Sequence, residues 1–373
     1  MKTINFYRSF CLAVLIIAFT SAQALSQSDE SSKSNSGSFY SLFGLGFPTD
    51  NNTARELSLG IPGVSLDNGQ SNSLNNPALW GKNTLTTTSS GFNFSKFISS
   101  DSNAESENSI LQANYLQLTF PILREQFGIS ASLYPVTRSN YRFVESDAIV
   151  TPENETVNYL TDVKGSGGIN KLELGFGWSV NENISVGYAP SLAFISQKNT
   201  QEIFFDRVDF GNNIVDNELS GSSFSQRFGV LLNFRNLLTS NDRISLGSSI
   251  NLPVNISVSE KAVTTKQVNG TDREVTISEQ SGMNAKLPTE LNAGLTYYPS
   301  ALVNISVEGK FQQWSNSNST LNNTSAQEFE LSDRAKLGLG AEYHPYRTNS
   351  TNFFSNFRYS AGISFDSGHL SYQ

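Results

Sequence analysis

The sequence predicts an all-β protein, namely a transmembrane antiparallel β-barrel whose lumen is plugged by an N-terminal segment. Three observations predict it. Apolar residues alternate with small or polar ones from about residue 85 onward, with the period of two that marks a strand with two different faces. Short links between strands alternate with long polar ones, as in outer-membrane barrels. An export signal precedes both features.

Residues 1–24 have the pattern of a secretory signal peptide, with cleavage expected after Ala24. Lys2 and Arg8 supply its positive charge, and the apolar run from Phe10 to Phe19 is too short to cross a bilayer as a helix. An uncleaved anchor or a buried helix is the alternative. The order of charged, apolar and small-residue regions favours the signal peptide.

Cys11, the only cysteine, lies inside this signal, so the mature chain is predicted to contain no thiol, disulfide or cysteine-based metal site. A large secreted protein without disulfides fits the Gram-negative outer membrane, where closure of a barrel can take over their role. The formal net charge of −8 becomes −10 once Lys2 and Arg8 leave with the signal. Such an acidic chain is not expected to bind nucleic acid.

The stretch Lys171–Val180 shows the alternation most clearly. One face carries large apolar residues and the other charged or small ones, respectively Leu172, Leu174, Phe176 and Trp178 against Glu173, Gly175 and Gly177. The second face is too polar for the core of a β-sandwich. It suits a lumen that is filled with water or lined for a ligand, with the first face against lipid.

Eleven strands are predicted in this way, near residues 85–97, 110–122, 125–143, 165–180, 184–200, 221–235, 243–260, 287–298, 303–315, 334–344 and 354–365. Tight turns are predicted at Leu123-Arg124, Asn181–Asn183 and Pro299-Ser300. Long polar loops are predicted at residues 99–109, 144–164, 201–220, 261–286 and 316–333. Alternation of short periplasmic turns with long extracellular loops distinguishes a membrane barrel from a soluble sandwich.

Eleven is an odd number, whereas a bacterial barrel is expected to have an even number of strands and no open edge. The sequence stops at Gln373, just after a predicted turn at Asp366–Gly368. We therefore expect the C-terminal strands to be missing from this sequence, and the chain as written not to close a stable barrel.

Several motifs follow one another along this barrel pattern, namely Phe39–Gly46, Gly60–Ser65 with Asn75-Asn76-Pro77-Ala78, Leu287-Pro288 with Pro299-Ser300 and Trp314-Ser315, and Arg334–Tyr343 with Arg358–Phe365. In this order they resemble the FadL/TodX-type outer-membrane transporters of long-chain fatty acids and aromatic hydrocarbons. The resemblance spans nearly the whole mature chain. It implies a barrel of about fourteen strands, a plugged lumen with an apolar ligand site, and release of the ligand sideways into the membrane. The missing C-terminal strands depart from the family.

We accordingly divide the chain into the signal peptide (1–24), a flexible leader (25–38), an N-terminal plug (39–82) and the barrel (83–373). The plug segment lacks strand alternation and holds many apolar residues that need burial, and a wide barrel has room for it. Within its motif, Asn76 can donate and accept hydrogen bonds with strand backbone, while Pro77, before Ala78, fixes the chain direction. The alternative is an ordinary turn before the first strand.

Phe39, Leu42 and Phe43, at the front of the plug, are the candidate ligand contacts, because no other apolar surface is expected to face the lumen. Pro135 interrupts a predicted strand and removes one ladder donor, so it is the candidate for the lateral gate that the resemblance implies. Alternatively, Pro135 lies above the membrane, where the strand has already left the lipid.

Other candidate sites are weaker. His344 and His369, the only histidines, lack a matched serine or aspartate pattern, so no enzyme activity is expected. No cofactor or metal is expected either, because the acidic loop residues lack calcium-loop spacing, namely Glu153, Glu155, Asp206, Asp209 and Asp216. Trp80, Trp178 and Trp314 are predicted to lie at the membrane interfaces.

The predicted function is therefore an outer-membrane channel for uptake of hydrophobic small molecules, such as long-chain fatty acids or hydrocarbons. A structural barrel that acts as an assembly or secretion partner without transport is the alternative, and the plug argues against a general porin. The expected partners are outer-membrane lipid, a hydrophobic ligand and the outer-membrane barrel assembly machinery. The sequence does not identify the ligand.

Overall fold

The computed structural model describes residues 37–42, 44–69, 72–100, 105–152, 154–207, 211–268, 271–317, 329–345 and 352–372. The predicted signal peptide and nearly all of the predicted leader lie outside these ranges. Among the described residues, none of the helices has the length and apolar character needed to cross a membrane.

Strands dominate the structure. They are β1 (Phe47–Pro48), β2 (Thr87–Ser100), β3 (Glu105–Leu123), β4 (Phe127–Arg138), β5 (Tyr141–Val150), β6 (Thr156–Ser179), β7 (Ile184–Phe205), β8 (Asn213–Arg235), β9 (Arg243–Asn251), β10 (Val254–Val268), β11 (Thr271–Leu287), β12 (Glu290–Ser300), β13 (Val303–Gln312), β14 (Phe329–Leu331), β15 (Arg334–Tyr343), β16 (Tyr359–Asp366) and β17 (Leu370–Tyr372). The α-helix α1 spans Ala54–Leu59, and 3₁₀ helices span Phe39–Leu42, Pro77–Lys82, Trp314–Asn316 and Phe353–Asn356.

Eleven strands follow one another in one antiparallel sheet, in the order β16-β15-β13-β12-β9-β8-β7-β6-β4-β3-β2. Each corresponds to one of the eleven predicted strands, which confirms the predicted all-β antiparallel class. β5, β10 and β11 continue β4, β9 and β12 past breaks at residues 139–140, 252–253 and 288–289. Among the described residues, the end strands β2 and β16 form no ladder with each other.

The two faces of the sheet differ as the alternation predicts. On β6, Leu174 is 60% exposed and Trp178 is 45% exposed, whereas Lys171 and Glu173 are 5% and 1% exposed. The outward residues of the later strands repeat this pattern, namely Leu291, Ile305, Val307, Leu337 and Leu339. An apolar belt around the outside and a polar interior are what a lipid-embedded barrel requires.

A row of aromatic rings crosses four neighbouring strands on the outside of this belt. Phe127, Phe176, Tyr188 and Phe228 belong to β4, β6, β7 and β8, and consecutive ring centroids lie 5.9, 6.0 and 5.0 Å apart. Aromatic rows of this kind are typical of the boundary between the acyl chains and the lipid head groups.

Most of the predicted long polar loops are strands in the structure, so those predictions were wrong. β6 has 24 residues, β7 has 22 and β8 has 23, about twice the 9–11 that a tilted membrane strand requires. The excess forms long hairpins, which we call the projecting wall, at residues 141–164, 200–220 and 257–283. Many side chains on both faces of these hairpins are exposed and only some, such as Val157 and Leu219, are buried, so their strands lack the regular apolar alternation on which the prediction relied.

Ion pairs connect neighbouring strands of the projecting wall. The Arg142 guanidinium donates two hydrogen bonds to Asp162, of 3.0 and 2.8 Å, and Lys164 Nζ lies 3.1 Å from Asp162 and 3.2 Å from Glu202. Burial alone would raise the pKa of the Asp162 carboxyl, but hydrogen bonds from Arg142 and Lys164 outweigh it and leave the pKa below its usual value. The wall therefore keeps this array of charges at neutral pH.

Two of the three tryptophans do not lie at a membrane interface, contrary to prediction. Trp178 faces outward, but Trp80 and Trp314 are 0% and 1% exposed. Each buried indole finds a hydrogen-bond acceptor, Trp80 on the carbonyl of Ser73 (2.9 Å) and Trp314 on the side chain of Gln312 (3.1 Å). Both tryptophans belong to 3₁₀ helices, where strand alternation carries no information about burial.

Smaller differences concern links and loop charges. The turn predicted at Pro299-Ser300 is displaced, because these two residues end β12 and the turn follows at residues 301–302. Of the acidic loop residues, Glu155 pairs with Arg207 and Asp216 with Lys198, whereas Glu153 and Asp209 lie outside the described residues. No group of three or more potential metal ligands occurs within the described part of the chain.

Long hairpins lie at one end of the sheet and short turns at the other, which predicts that the projecting wall faces the cell exterior. The mature protein is expected to be free of cysteine, so single cysteines can report it. In intact cells, a membrane-impermeant maleimide should label Ala148→Cys in the projecting wall. It should label Leu238→Cys, in the turn at the opposite end, only after the outer membrane is permeabilised. The reverse pattern would place the projecting wall in the periplasm.

Candidate functional site

The described residues between 37 and 83 pack against the inward face of the sheet, and we call them the plug. Thr53 begins α1 with a capping box, in which its side chain accepts from the Glu56 amide and its amide donates to the Glu56 carboxylate. Gly60 ends the helix with a φ of 68°. Most of the remaining plug lies outside helices and strands, so its buried N–H and C=O groups need partners elsewhere.

Inward glycines let the plug backbone approach the wall directly. A Cβ atom at Gly338 would lie 1.9 Å from the carbonyl oxygen of Gly60, and one at Gly247 would lie 2.0 Å from that of Val64. The same overlap would arise at six more inward glycines, namely Gly128, Gly177, Gly187, Gly229, Gly340 and Gly362. We call these residues the glycine belt. The small residues of the second face thus contact the plug, and the lumen at this level is filled by protein and not by water.

Charged residues fix the plug to β13 and β15. Glu308 is 1% exposed, and its carboxylate accepts hydrogen bonds from the amides of Val64 (2.8 Å) and Ser65 (2.9 Å) and from the Ser65 hydroxyl (2.5 Å). On α1, Arg55 donates two hydrogen bonds of 2.7 Å to Glu342. Hydrogen bonds to ionised groups are stronger than neutral ones, so these contacts hold the plug in one position.

The Asn76-Pro77-Ala78 motif lies against β6, β7 and β8. Asn76 Nδ2 donates to the carbonyl of Val64 (2.8 Å) and to that of Val230 on β8 (3.1 Å), while its Oδ1 accepts from the Ala78 amide (3.0 Å). Pro77 begins a 3₁₀ helix, and Ala78 is fully buried. One asparagine therefore links the strand backbone, the stretch around Val64 and the start of a helix.

A layer of charged side chains crosses the lumen where the plug meets the upper part of the barrel. Asp50 of the plug lies 2.8 Å from Lys336, 3.0 Å from Arg334 and 3.5 Å from Lys310. Arg334 also binds Asp366 at 2.5 Å. Ionic contacts at this depth are weakly screened by solvent, so they fix Asp50 in place.

The charged layer continues on the opposite side of the lumen. Arg227 donates to the Tyr134 hydroxyl (2.6 Å), which donates to Glu173 (3.0 Å), and Arg227 itself lies 3.6 Å from Glu173. Glu290 joins the two halves, since it accepts from Asn251 (2.9 Å) and lies 3.9 Å from Lys310. Four cations and four anions make this layer neutral, namely Arg227, Lys310, Arg334 and Lys336 with Asp50, Glu173, Glu290 and Asp366.

On the side of the projecting wall, the barrel itself fills the lumen with apolar side chains. Leu45 of the plug packs there in a buried cluster with Ile169, Ala193, Ile195, Leu219, Val254, Ile256, Val258, Met283, Ala285, Leu287 and Trp314. We call this cluster the upper core. The expectation that only the plug would present an apolar surface to the lumen was wrong. Alternation within one strand does not show which inward residues of different strands meet across the lumen.

The wall of the barrel divides next to Pro135. The ladder between β3 and β4 ends at the pair Leu116–Leu133, and beyond it β1 of the plug pairs with β4 instead. Pro135 is buried, and its carbonyl accepts hydrogen bonds from Thr49 (2.6 Å) and Asn51 (2.7 Å) of the plug. We call the separation of β3 from β4 the wall split. The role of Pro135 as a lateral gate remains a prediction.

Two polar side chains bridge the wall split. The Arg138 guanidinium of β4 donates to the carbonyl of Ala113 on β3, and the Asn114 side chain of β3 donates to the carbonyl of Asp50 (3.3 Å). These are side-chain contacts in place of a backbone ladder, so they can break without disturbing the pairing of either strand with its other neighbour.

A cavity of about 490 Å³ lies at the wall split, between the front of the plug and the inward faces of β2 and β3. We call it the side cavity. Its apolar lining includes Phe47, Leu57, Phe97, Ile110 and Tyr115, and its charged lining consists of Asp50, Arg138 and Arg334. A mixed lining of this kind fits an amphiphilic molecule better than a purely apolar one.

None of the three predicted ligand residues, Phe39, Leu42 and Phe43, is among the described residues that line this cavity. Leu42 is half-buried and is not among the described residues that line the side cavity. Phe43 lies outside the described residues, as does the side chain of Phe39. Their contact with a ligand remains a prediction. The wall residues Phe97 and Ile110 were missed because strand alternation assigns each an inward face without showing that the plug leaves space beside it.

The outward apolar belt, the curved sheet and the filled lumen together define a class, the plugged β-barrel of the outer-membrane type. Within it, the model of the BamG family matches residues 8–373, and the chain therefore belongs to the BamG family. Among curated proteins, none matches this sequence.

Solved structures similar to this chain include the CymD monoaromatic hydrocarbon channel, at 14% identity and a TM-score of 0.48, over 83% of this chain and 85% of that one. The Pseudomonas putida toluene transporter TodX is similar at 12% identity and a TM-score of 0.48, over 87% and 85%. A Pseudomonas aeruginosa FadL homologue is similar at 11% identity and a TM-score of 0.38, over 87% and 97%. Two of these structures, TodX and the FadL homologue, bear the names of the family that the sequence motifs resemble.

The glycine belt predicts that even a methyl group at Gly338 displaces the plug. Gly338→Ala should lower stability by about 1–3 kcal/mol, as overpacking does, and should raise conductance in planar bilayers as water enters the lumen. The midpoint of the heat-modifiable band and single-channel recordings measure the two effects. Gly309→Ala is the control, because its Cβ would lie 3.3 Å from its nearest neighbour. Equal behaviour of the two variants would contradict tight contact between plug and wall.

Proposed function

We propose that this protein carries small hydrophobic or amphiphilic molecules into the outer membrane sideways, through the side cavity and the wall split. The observation that carries the proposal is that the side cavity opens where β3 leaves β4 and the plug takes its place, since Asn114 of β3, Arg138 of β4 and Phe47 of β1 all line it. A volume of about 490 Å³ lies within the range of roughly 300–1,000 Å³ typical of small-molecule sites.

Passage along the barrel axis is disfavoured by what fills the lumen. A hydrophobic molecule on that path would have to displace the charged layer, and separating buried ion pairs costs several kcal/mol for each partner left alone. It would also have to part the close-packed upper core. A lateral route leaves the charged layer and the upper core in place. It needs the rupture of the hydrogen bonds made by Arg138 and Asn114 and the displacement of β1 from the edge of β4.

The lining of the side cavity favours a long-chain fatty acid over a hydrocarbon. Phe97 and Ile110 can contact an acyl chain. Arg138 has a carbonyl oxygen as its hydrogen-bond partner rather than a carboxylate, so its charge can still pair with an anionic head group. A hydrocarbon would leave this half-buried cation without an anionic partner.

Uptake of labelled substrates by cells that carry the protein tests this proposal. Ile110→Asp should reduce uptake of a long-chain fatty acid and of an alkane about tenfold or more, because each would meet a desolvated charge. Arg138→Met should reduce uptake of the fatty acid alone. Val144→Asp is the matched control, since Val144 is exposed on the projecting wall. If the wild type confers no uptake above an empty strain, the transport proposal fails.

A second candidate is a barrel that assists the assembly of other outer-membrane proteins without transport. Membership of the BamG family supports it, since the name points to the barrel assembly machinery. The projecting wall supports it too, because β6, β7 and β8 extend far beyond the length that a membrane strand needs and offer a broad charged surface to a partner.

Depletion of the protein in its own bacterium distinguishes the two candidates. An assembly role predicts that, within a few generations, unrelated barrels accumulate in an unfolded form whose gel mobility does not change on heating. It also predicts that expression of the Ile110→Asp variant restores their folding as well as expression of the wild type does. A transport role predicts normal folding of these barrels with loss of uptake. Normal barrel folding after complete depletion would exclude the assembly role.

A further inference from the structure

A second, much smaller cavity lies inside the charged layer. It measures about 40 Å³ and is lined by residues of the plug and the wall, among them Thr49, Asn51, Tyr134, Lys171, Arg227 and Glu290. We call it the inner cavity. A buried water requires roughly 10–15 Å³ by this measure, so the inner cavity has room for about two to four particles of that size.

Lys171 lines the inner cavity without belonging to the neutral set of eight charges. It faces inward on β6 and is 5% exposed. No hydrogen bond or ion pair joins its ammonium group to a residue in the described part of the chain. The eight charges of the layer balance one another, so Lys171 adds one positive charge to this layer, close to Glu173 and Glu290.

Arg227 supplies a second unused donor at the same cavity. Its Nη2 binds Tyr134 and its Nε binds Asn251. Its Nη1 is buried and has no partner among the described residues. The oxygens Glu173 Oε1 and Asn51 Oδ1 are likewise buried without a donor. Two positively charged groups, Lys171 and Arg227, and one acceptor without a donor, Asn51 Oδ1, therefore belong to residues that line one small cavity, whereas Glu173 lies outside its lining.

We infer that the inner cavity binds a small monovalent anion of the size of chloride, held by Lys171 Nζ and Arg227 Nη1. One such ion compensates the excess charge and accepts hydrogen bonds from both donors. The remaining space holds water, which donates to Asn51 Oδ1. Lys171 and Arg227 line the same cavity of about 40 Å³, which has room for an ion of this size and not for a larger organic anion.

Bromide provides the crystallographic test, because its anomalous scattering distinguishes it from water. Crystals of the full chain in sodium bromide should show an anomalous peak in the inner cavity within hydrogen-bond distance of Lys171. Lys171→Met should abolish this peak, and Lys198→Met, at a partly exposed position of β7 outside the lining of the inner cavity, should retain it. Density without anomalous signal in the wild type would mean water only and would overturn the inference, as would an unchanged peak in Lys171→Met.

A solution measurement keeps the inference testable if Lys171→Met does not fold. At constant ionic strength, the unfolding midpoint of the wild type should rise and saturate as gluconate is replaced by chloride or bromide, because only the small ions enter the cavity. Lys198→Met should respond in the same way. A midpoint that does not depend on the anion would contradict the site. The uptake experiments are independent of this result, since the inner cavity is separate from the side cavity.

Discussion

The plug has to be buried in the barrel without leaving its backbone polar groups unpaired, and much of the structure follows from that constraint. A segment with one short helix and a two-residue strand cannot satisfy these groups internally. The wall meets the constraint in two ways. The glycine belt removes side chains where the plug backbone touches the strands, and carboxylates such as Glu308 accept hydrogen bonds from the plug amides. The position of the plug therefore depends on where the wall carries glycines and hydrogen-bond acceptors.

The same constraint explains why the interior is charged. Asp50 enters the lumen with the plug and requires the cations of β13 and β15, and these in turn require Glu290 and Asp366. Buried ion pairs contribute little net stability, but removing one partner is costly. The layer consequently fixes the register between plug and barrel more than it stabilises the fold. It also makes the axis of the barrel a poor path for an apolar solute.

The sequence predicted the strands well because each membrane strand has one lipid-facing side. Leu172 to Trp178 show this alternation without help from any other part of the chain. It did not predict the projecting wall, whose strands expose many side chains on both faces, or the burial of Trp80 and Trp314, which lie in 3₁₀ helices. The projecting wall depends on pairing between strands, and the burial of the two tryptophans depends on contacts between distant segments. A local sequence pattern contains neither kind of information.

The candidate site was partly visible in the sequence. Pro135 was the candidate for a lateral gate because it interrupts a predicted strand, and in the structure it lies just beyond the point where the ladder between β3 and β4 ends. The side cavity near this point exists because no side chain fills the space between the plug and the wall. That space is set by the three-dimensional packing and cannot be predicted from a strand pattern. One overlooked signal was available. Glycine recurs at inward positions of nearly every strand from β4 to β16, and such recurrence indicates another backbone lying against the sheet.

The wall split and the projecting wall meet at one point, residues 139–140, where β4 ends and β5 begins. The front of the plug is bound at this point, since the Ser41 hydroxyl donates to the Asn140 carbonyl (2.7 Å) and accepts from its amide (3.0 Å), while the Ser139 hydroxyl donates to the Ser41 carbonyl (3.1 Å). A displacement of β5 by a molecule bound to the projecting wall must therefore act on Ser41, and through it on β1, which covers the edge of β4 at the split. If both proposed roles hold, they are not independent, because these hydrogen bonds connect the projecting wall with β1, which covers the edge of β4 at the wall split.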